Sequence, residues 1–577
     1  MVSDAASSTA LGALFATLDI YKTITTCVTI VLAVAVYCLW WLPTDTVPGP
    51  PRPSLHWQLW LLGHITELLA EERSPTDALD RWFHQYGHVF RIYGTAGTTR
   101  ILTTDPRALH HIVTRDDVYH KPEDARFSLA RVLGDGVLVT EGEKHRQQRK
   151  IMNPAFGPSQ IRELTPVFLD LAKKLRNRWT QLLSNEGGQA CLNVLGELSL
   201  MTLDVIGRAG TSDLIFVIRD SHTKYLGFGY DFNALDGEAE SNELSHAFAT
   251  LIGGPQTQET WLNRTGNLLR NLQPIFPVLR LLPALGEQAL HTARATMNRI
   301  GRHLLEEAKA KENGSKGAAE EAHSRPRDLL SLLVRANLAE SAKGRMSDED
   351  VLAQVPTFLV AGHETTATAT TWAIYHLTQD LAIQTRLREE LRALGDPAPS
   401  LDELDSLPYL DMFVKEVLRF YTPVPWTARV GTRDDVVPLA RPYTDMKGKQ
   451  HGEIVVKKGQ QFMLSIHNLH RAKEIWGDDA DEFRPERWEN LSDTVKSVPS
   501  IWSHLFTFSG GPHACIGFRF SIAEIKAIMF VLVRSFEFEL AVDPSDIKVR
   551  TAAVQRPALK SEPQSTAQLP VIVRKAL

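Results

Sequence analysis

The most continuous apolar stretch of the chain is residues 23–42, in which 20 consecutive positions carry no charged side chain. The hydrocarbon core of a bilayer requires about 20 such residues in a helix. The stretch ends in Trp40 and Trp41, and tryptophan suits the membrane interface. A cleaved signal peptide would have a shorter apolar core and a cleavage site of small residues. The pattern therefore predicts a retained single-pass transmembrane anchor over 23–42, preceded by an N-terminal segment, 1–22.

Proline then interrupts any regular pattern over residues 43–56, where Pro48, Pro50, Pro51 and Pro53 lie close together. Such a segment forms a stiff, extended spacer. We interpret it as a hinge between the anchor and one large folded domain, residues 57–577.

Within that domain, helical spacing alternates with short strand patterns. Strands are predicted at 89–93 and 100–103, and a last one near 571–573. Helices are predicted to begin near Gly142 and after Gly517. A third helix begins at Ser347 and continues to about Leu377, which corresponds to roughly 45 Å. Residues 309–328 are charged and small without an apolar period, and they predict a mobile surface loop. The fold class is therefore α+β, mainly α, with a helix-rich core and small β-sheets.

Composition narrows the function only slightly. Hydrophobic residues make up 43% of the 577 positions and charged residues 23%, as in ordinary globular proteins. A net charge of -5 gives no reason to expect a nucleic-acid partner. The cysteines, Cys27, Cys38, Cys191 and Cys515, suggest no disulfide framework and favour a reducing compartment.

Cys515 lies in a glycine-rich segment, residues 508–517, directly before a predicted helix. The positive end of a helix dipole would lower the thiol pKa toward thiolate, which is a good axial ligand for iron. Two other interpretations apply to the residues alone. A lone cysteine is usually a small buried apolar residue, and a zinc site with His513 and Cys515 would lack two further ligands at usable spacing.

The long predicted helix contains Gly362, Glu364, Thr365 and Thr366 in its interior. Glycine and threonine are poor helix formers, and a charged glutamate is a poor choice among apolar neighbours. Residues that are unfavourable in the interior of a buried helix indicate a functional site. Thr365 can bond a backbone carbonyl one turn earlier and open a groove. The alternative is a surface helix with a polar stripe.

Two charged patterns mean little by themselves. His145 and Arg149 share one face of a helix, as a solvated basic face would. Glu416 and Arg419, three residues apart, are typical of an exposed helical ion pair.

Together, however, these motifs resemble the cytochrome P-450 family. Phe508, Gly511, Cys515 and Gly517 match its F-x-x-G-x-R-x-C-x-G signature, with His513 in place of arginine. The other matching patterns, in the family's order, are W-x-x-x-R at His145 to Arg149 with histidine replacing tryptophan, A-G-x-[DE]-T-T at Ala361 to Thr366, E-x-x-R at Glu416 to Arg419, and P-E-R-[FW] at Pro485 to Trp488. The resemblance implies the P-450 fold and haem b, with Cys515 as the axial ligand of the haem iron.

The resemblance also implies roles for individual residues. Thr365 would donate a proton during oxygen activation and Glu364 would relay protons from solvent. The residues implied in cofactor binding are Cys515, His145, Arg149, Arg429, His513, Phe508, Gly511 and Gly517, and His513 keeps an N–H donor for the haem propionates. Glu416, Arg419 and Arg487 would form a buried network that supports the cysteine loop.

The implied function is a membrane-bound monooxygenase that inserts one atom of dioxygen into a hydrophobic small molecule. A separate NADPH-dependent reductase, with cytochrome b5 as a further donor, would supply electrons. Lys144, Arg146 and Lys150 are candidates for docking such a donor. The resemblance places the catalytic domain on the cytosolic side of the endoplasmic reticulum. Two other classes remain open: a non-oxygenating haem isomerase or dehydratase, and a non-catalytic haem-binding sensor.

The similarity is strongest to basidiomycete members, many of which oxidise terpenoid, sterol or aromatic secondary metabolites. Residues 199–210 and 228–232 resemble adjacent pieces of such members. The intervening residues, 211–227, are therefore interpreted as an insertion, such as a retained short intron.

Overall fold

A computed structural model describes residues 47–51, 63–68, 75–94, 98–208, 232–237, 287–314, 329–340, 344–551, 553–563 and 565–576, together with Thr29. The predicted anchor, except for Thr29, and the suspected insertion at 211–227 lie outside these residues. In the part of the chain that the structure describes, no helix is both long and apolar enough to cross a bilayer.

Helices dominate the described residues. In chain order they are α1 (Ile65–Leu68), α2 (Pro75–Tyr86), α3 (Pro106–Thr114), α4 (Glu123–Leu133), α5 (Gly142–Met152), α6 (Pro158–Asn185), α7 (Val194–Arg208), α8 (Glu287–Gly314), α9 (Leu329–Ala339), α10 (Asp348–Leu352), α11 (Gln354–Gln379), α12 (Leu381–Ala393), α13 (Leu401–Asp405), α14 (Pro408–Phe420), α15 (Ile466–Arg471), α16 (Lys473–Trp476), α17 (Asp493–Lys496) and α18 (Phe518–Ser535).

The strands form small sheets. They are β1 (Val89–Tyr93), β2 (Thr99–Thr103), β3 (Tyr119–His120), β4 (Gln189–Asn193), β5 (Trp426–Gly431), β6 (Asp435–Thr444), β7 (Gln450–Val456), β8 (Gln461–Ser465), β9 (Phe536–Leu540), β10 (Ile547–Thr551), β11 (Gln555–Leu559) and β12 (Pro570–Lys575). The largest sheet has the order β1-β2-β8-β5-β3, in which only the β2–β8 pair is parallel. The predicted mainly helical α+β class is confirmed.

The centre of the molecule is built around α11 and α18. Helix α18 is buried on all sides from Ile522 to Val533, because apolar residues occupy nearly every position rather than one stripe. It contacts α6, while α11 packs on α7. This arrangement carries the segment after Cys515 and the polar positions of the long helix into the same interior.

Several predicted elements have the predicted positions. Strands β1 and β2 pair antiparallel with Val89 opposite Thr103. Helix α5 begins at Gly142, and α18 begins directly after Gly517. The predicted final strand is β12, which lies between β4 and β9.

Two predictions of element boundaries were wrong. The helix predicted from Ser347 to about Leu377 is interrupted at Ala353, between α10 and α11. Pro356 explains the break, since it has no N–H to donate to the carbonyl of Leu352 four residues earlier. Residues 309–314, assigned to a surface loop, instead complete α8, because lysine, alanine and glutamate there are good helix formers. The rest of that predicted loop, 315–328, lies outside the described residues.

Candidate active site

The cysteine loop, residues 508–517, connects a short 3-10 turn to helix α18. The backbone N–H of Cys515 donates to the carbonyl of Phe508 at 2.8 Å, which closes the loop. The N–H of Ser521 donates to the carbonyl of Gly517 at 2.9 Å and begins the helix. Cys515 is therefore held two residues before the helix N-cap, Gly517.

Gly511 and Gly517 differ in whether the surrounding polypeptide requires glycine at that position. Gly511 has φ +67°, and a Cβ there would lie 2.0 Å from the carbonyl oxygen of Val113. Gly517 has a negative φ of -91°. A Cβ at Gly517 would meet only Phe156, at an ordinary 3.9 Å. The polypeptide therefore requires glycine at 511 but gives no reason of its own for glycine at 517.

The Cys515 side chain has accessible surface but is surrounded by protein. The side chain is accessible, yet the surrounding protein is dense enough that burial raises the thiol pKa above its ordinary value. We attribute this combination to a side chain that faces interior space rather than bulk solvent. The backbone N–H of Gly517 and the charge of Arg149 act in the opposite direction but do not prevail. The expectation that the polypeptide alone lowers this pKa toward thiolate was wrong. A cation bound to the sulfur would favour the thiolate form.

His145 and His513, which replace tryptophan and arginine of the family signatures, contact each other. Their rings stack with centroids 3.8 Å apart and planes inclined by 22°. His513 Nδ1 lies 3.1 Å from Lys121 Nζ. His513 Nε2 lies 2.9 Å from Glu141 Oε2, within ion-pair distance although the approach is not aligned as a hydrogen bond. The two nitrogens of His513 therefore face protein groups, a lysine on one side and a carboxylate on the other.

The pKa values of Glu141 and His145, two groups at this histidine pair, are both lowered. Burial would raise the pKa of Glu141, but contacts with His513 and Lys121 outweigh it and lower that pKa to about 2. Burial lowers the pKa of His145 to about 3, assisted by the nearby cations. At neutral pH the carboxylate of Glu141 is ionised and His145 is neutral.

Two arginines lie near this cluster. Arg149 is half-buried, and its Nε donates to Asn153 Oδ1 at 3.1 Å. Arg429 is only 3% exposed, and its Nη1 donates to Thr427 Oγ1 and to the Ala428 carbonyl. Among the described residues, no carboxylate lies within ion-pair distance of Arg429. Burying a guanidinium without a counter-ion is costly, so this arrangement favours an anionic ligand.

Helix α11 presents the second set of predicted residues. Thr365 Oγ1 donates to the carbonyl of Ala361 at 2.7 Å, the bond expected from the sequence. Ala361 is exposed although it lies in the middle of a buried helix. A Cβ at Gly362 would lie 2.8 Å from Ile206 Cδ1, so glycine allows α7 to approach α11 closely. The hydroxyl oxygen of Thr365 keeps its lone pairs available beside this accessible turn.

Glu364, also on α11, is 8% exposed and forms an ion pair with Arg556 of strand β11. Arg556 is partly exposed, with 31% of its side chain accessible. The contact joins residues almost 200 positions apart, and no sequence pattern signals it. It connects the buried carboxyl group to a side chain that reaches a more accessible region.

Glu416, Arg419 and Arg487 form one buried network. Arg419 donates from Nε and Nη2 to the two oxygens of Glu416 at 2.9 and 2.8 Å, and Arg487 Nε donates to Oε1 at 3.2 Å. Both Glu416 and Arg419 are fully buried. Arg487 also donates to Asp479 Oδ1 at 2.8 Å.

The network extends to the cysteine loop through residues that the sequence did not single out. Arg419 Nη1 donates to the His470 carbonyl at 2.8 Å, and His470 Nε2 accepts from the Phe506 N–H at 2.9 Å. Thr507 Oγ1 donates to the Leu418 carbonyl at 2.9 Å. Helix α14 is thus hydrogen-bonded to the segment that enters the cysteine loop.

Comparison with known proteins identifies this arrangement. The family model described as Cytochrome P-450 matches residues 50–561. The chain belongs to the cytochrome P-450 family. Cytochrome P-450 monooxygenase 205 of Postia placenta is 43% identical over 535 residues, which cover 92% of this chain and 93% of that protein. Cytochrome P-450 monooxygenase claP of Ampulloclitocybe clavipes is 32% identical over 537 residues, with the same coverage.

Enzymes of the cytochrome P-450 family bind haem through a cysteine thiolate, and the residues of this chain fit that cofactor. The thiol of Cys515 is accessible, and the space beside Gly517 is open except for Phe156, 3.9 Å from the position of a Cβ, so a planar group has room there. Lys121 and Arg429 carry positive charge near the carboxylate of Glu141, and the charge of Arg149 lies near Cys515; this group of cations suits a ligand with carboxylates of its own. Within the described ranges, no three or more His, Cys, Asp or Glu side chains are grouped to hold a bare metal ion.

The basic residues predicted to face outward on α5 do so, but each is paired. Lys144 contacts Asp350, Arg146 contacts Asp116 and Glu143, and Lys150 contacts Glu340. Arg146 and Lys150 border a surface groove of about 650 Å³, which also includes Arg149, Gly511 and Pro512. Any electron donor that docks here would meet a surface whose charge is partly neutralised.

Glu524 on α18 is a further buried acid that the sequence analysis missed, since it fits the helical pattern of its neighbours. It is fully buried, and burial raises its pKa well above the ordinary value, although Thr366 lies close enough to favour the charged form slightly. Neither carboxyl oxygen has a geometrically acceptable hydrogen bond within the described residues. Burial therefore favours the protonated, neutral form of this carboxyl group.

Replacing Glu524 with glutamine should stabilise the protein at pH 8 and have little effect near pH 4. Above its ordinary pKa the unfolded chain ionises this group while the folded chain keeps the proton, so the native glutamate loses stability as pH rises. We expect a gain of at least about 1 kcal/mol at pH 8, measured by urea unfolding of the holoprotein. Glu537→Gln, at a half-exposed position of β9, is the control. A loss of stability at every pH would show that Glu524 is ionised and paired.

Proposed function

We propose that this protein is a haem-thiolate monooxygenase that inserts one atom of dioxygen into a hydrophobic small molecule. The observation that carries the proposal is the pair Glu364 and Thr365, placed on α11 beside an accessible turn of an otherwise buried helix. Haem, when bound to Cys515, supplies oxygen activation, and the thiolate favours O–O cleavage. Cleavage to water consumes two protons, which a positioned donor chain must deliver.

The roles of individual residues follow from their positions. Thr365 offers a hydroxyl oxygen beside the accessible Ala361 turn, and it can hold a proton donor there. Glu364 can pass protons from the Arg556 side toward that turn. Arg149 and Arg429 hold the carboxylates of the cofactor, the stacked His145–His513 pair lies beside them, and the Phe508–Gly517 loop presents the ligand. Glu416, Arg419 and Arg487 support that loop and take no part in the chemical step.

For the substrate, we propose a terpenoid, sterol or aromatic secondary metabolite. Val424, in the segment after α14, is 36% exposed, and we propose that it lines the substrate pocket together with Pro425. The relatives from Postia placenta and Ampulloclitocybe clavipes are named as monooxygenases, and this supports the type of reaction.

For the partners and location, we propose a separate NADPH-dependent reductase, with cytochrome b5 as a second donor, at the endoplasmic reticulum membrane. The apolar, Trp-flanked residues 23–42 support a single-pass anchor, and the Pro-rich 43–56 supports a hinge before a cytosolic catalytic domain. The groove beside Arg146 and Lys150 is the proposed docking surface.

The experiment that tests this function is turnover of the full-length protein in membranes with a reductase, NADPH and isotopically labelled dioxygen. A library of terpenoid, sterol and aromatic compounds would serve as substrates, after a reduced, carbon-monoxide difference spectrum has established haem-thiolate binding. One labelled oxygen atom per product molecule is expected. Product formed without NADPH would instead indicate an isomerase or dehydratase. Ligand-induced spectral shifts without any turnover would indicate a sensor.

Changing Glu364 to glutamine or Thr365 to alanine should lower the rate of product formation by about 100-fold, because each removes one member of the proton-delivery chain. NADPH oxidation should fall less than product formation, so the yield of product per NADPH is the measurement. Thr365→Ser keeps the hydroxyl and is the matched control. Equal losses in Thr365→Ser and Thr365→Ala would argue against a role for the hydroxyl.

A further inference from the structure

Lys121 is a buried lysine, 14% exposed in its side chain, that follows strand β3. Its backbone N–H donates to Glu141 Oε1 at 2.9 Å, and its ammonium lies 3.4 Å from the same oxygen. The ammonium also lies 3.1 Å from His513 Nδ1. Two of its three donors thus face Glu141 and His513, and one remains.

The surroundings of Lys121 carry more positive than negative charge. Arg429 and Arg126 are cations near Lys121, and Arg149 lies near the adjacent His145. Among the described residues, Glu141 is the one carboxylate within ion-pair distance of the Lys121 ammonium. Glu141 is itself shared between Lys121 and His513. A buried group of cations with one shared carboxylate is stable only with further anions.

His513 cannot take the place of the arginine that the family signature has at this position. Its Nδ1 accepts from the Lys121 ammonium, which leaves the ring proton on Nε2, the nitrogen that faces Glu141. His145 covers one face of the ring. The ring of His513 therefore separates the ammonium of Lys121 from the carboxylate of Glu141. The positive charge that a ligand could contact at this position is that of Lys121.

We propose that Lys121 is the cation that binds a haem carboxylate at this corner, and that His513 and Glu141 hold its ammonium in place. The two departures from the family signatures then have one explanation. His513 is smaller than the arginine of the signature and leaves room for Lys121, and His145, which replaces the signature tryptophan, stacks on His513. The inference concerns retention of the cofactor and does not depend on the reaction that the enzyme catalyses.

The test is haem transfer from the purified full-length holoprotein to apomyoglobin, with resonance Raman spectra of the haem propionate bending modes. Lys121→Gln should release haem about tenfold faster, because a charge-assisted hydrogen bond is lost, and should shift a propionate mode. Lys121→Arg should do neither, since it keeps the charge. Lys526→Gln is the matched control: Lys526 is buried even more deeply than Lys121 but is paired with Asp405 and Asp411, so its loss should weaken the fold without moving the Raman mode.

A double variant makes the test more specific. His513→Arg should restore haem retention in the Lys121→Gln background, where it returns the missing charge. In the wild-type background the same change should give no gain, because it places a second cation beside Lys121. The proposal is overturned if Lys121→Gln leaves the propionate mode unchanged or releases haem no faster than Lys526→Gln. It is also overturned if His513→Arg improves retention equally in both backgrounds.

Discussion

Replacing Cys515 with alanine is expected to abolish the red-shifted Soret band of the reduced, carbon-monoxide-bound protein and to reduce product formation to background. In this chain the cysteine loop supplies one ligand atom, the Cys515 sulfur, and neighbouring groups cannot replace it. His513, the nearest alternative, has its ring nitrogens facing Lys121 and Glu141. Loss of the sulfur therefore removes both attachment and the electron donation that favours O–O cleavage.

The measurement is the difference spectrum of membranes containing each variant, normalised to protein amount by immunoblotting. Cys191→Ala, at an exposed position of strand β4, is the matched control and should keep the band. Cys515→His keeps a possible iron ligand of another kind and should give the shorter-wavelength band of imidazole-ligated haem, which shows that the fold still admits haem. A red-shifted band that persists in Cys515→Ala would mean that another residue binds the iron.

The pKa of the Cys515 thiol depends on packing that the local sequence pattern does not predict. A helix N-terminus after Gly517 predicts a lowered thiol pKa, and the helix is present. Burial nevertheless dominates and raises the pKa. The sequence shows which residue precedes the helix, but the amount of protein around its sulfur depends on how distant segments pack.

The same distinction separates the residues that were found from those that were missed. Glu416 and Arg419 belong to one helical turn, so spacing alone places them in contact. Lys121 and Arg556 act through partners far away in the chain, His513 and Glu364. Helical and strand periods show which side of an element is apolar, but not which other element covers it.

Two predicted helix boundaries were wrong for a related reason. Apolar residues recur at helical spacing from Val351 to Leu377, and the missing N–H of Pro356 is the feature that separates α10 from α11. Good helix formers at 309–314 extended α8 although no apolar period supports them. In both places single-residue backbone chemistry outweighed the hydrophobic pattern.

Replacing Glu416 with glutamine is expected to destabilise the folded protein by about 3–5 kcal/mol, because it leaves the fully buried guanidinium of Arg419 without its counter-ion. Besides Arg419 and Arg487, the carboxylate accepts from the Trp488 indole N–H at 3.0 Å and from the Arg484 backbone N–H at 2.8 Å. Glutamine can accept some of these hydrogen bonds but supplies no charge. Urea unfolding, followed by circular dichroism and by the Soret band, measures the loss.

Glu486→Gln is the matched control, because Glu486 lies in the same segment but pairs with Arg386 at the surface. An exposed pair of this kind contributes up to about 1 kcal/mol, so the control should unfold almost as the wild type does. If both variants lose the same stability, the buried network is not what holds this region together.

If Glu416→Gln fails to accumulate, Arg487→Lys offers a milder test of the same network. Lysine keeps the charge but cannot donate simultaneously to Glu416, Asp479 and the Glu482 carbonyl as Arg487 does. Because His470 and Thr507 connect α14 to the cysteine loop, the weakened network should reduce the fraction of protein that retains haem. The molecules that do retain haem should turn over at the wild-type rate, since none of these residues approaches Glu364 or Thr365. A fall in turnover per haem would assign the network a part in the chemical step and contradict a purely supporting role.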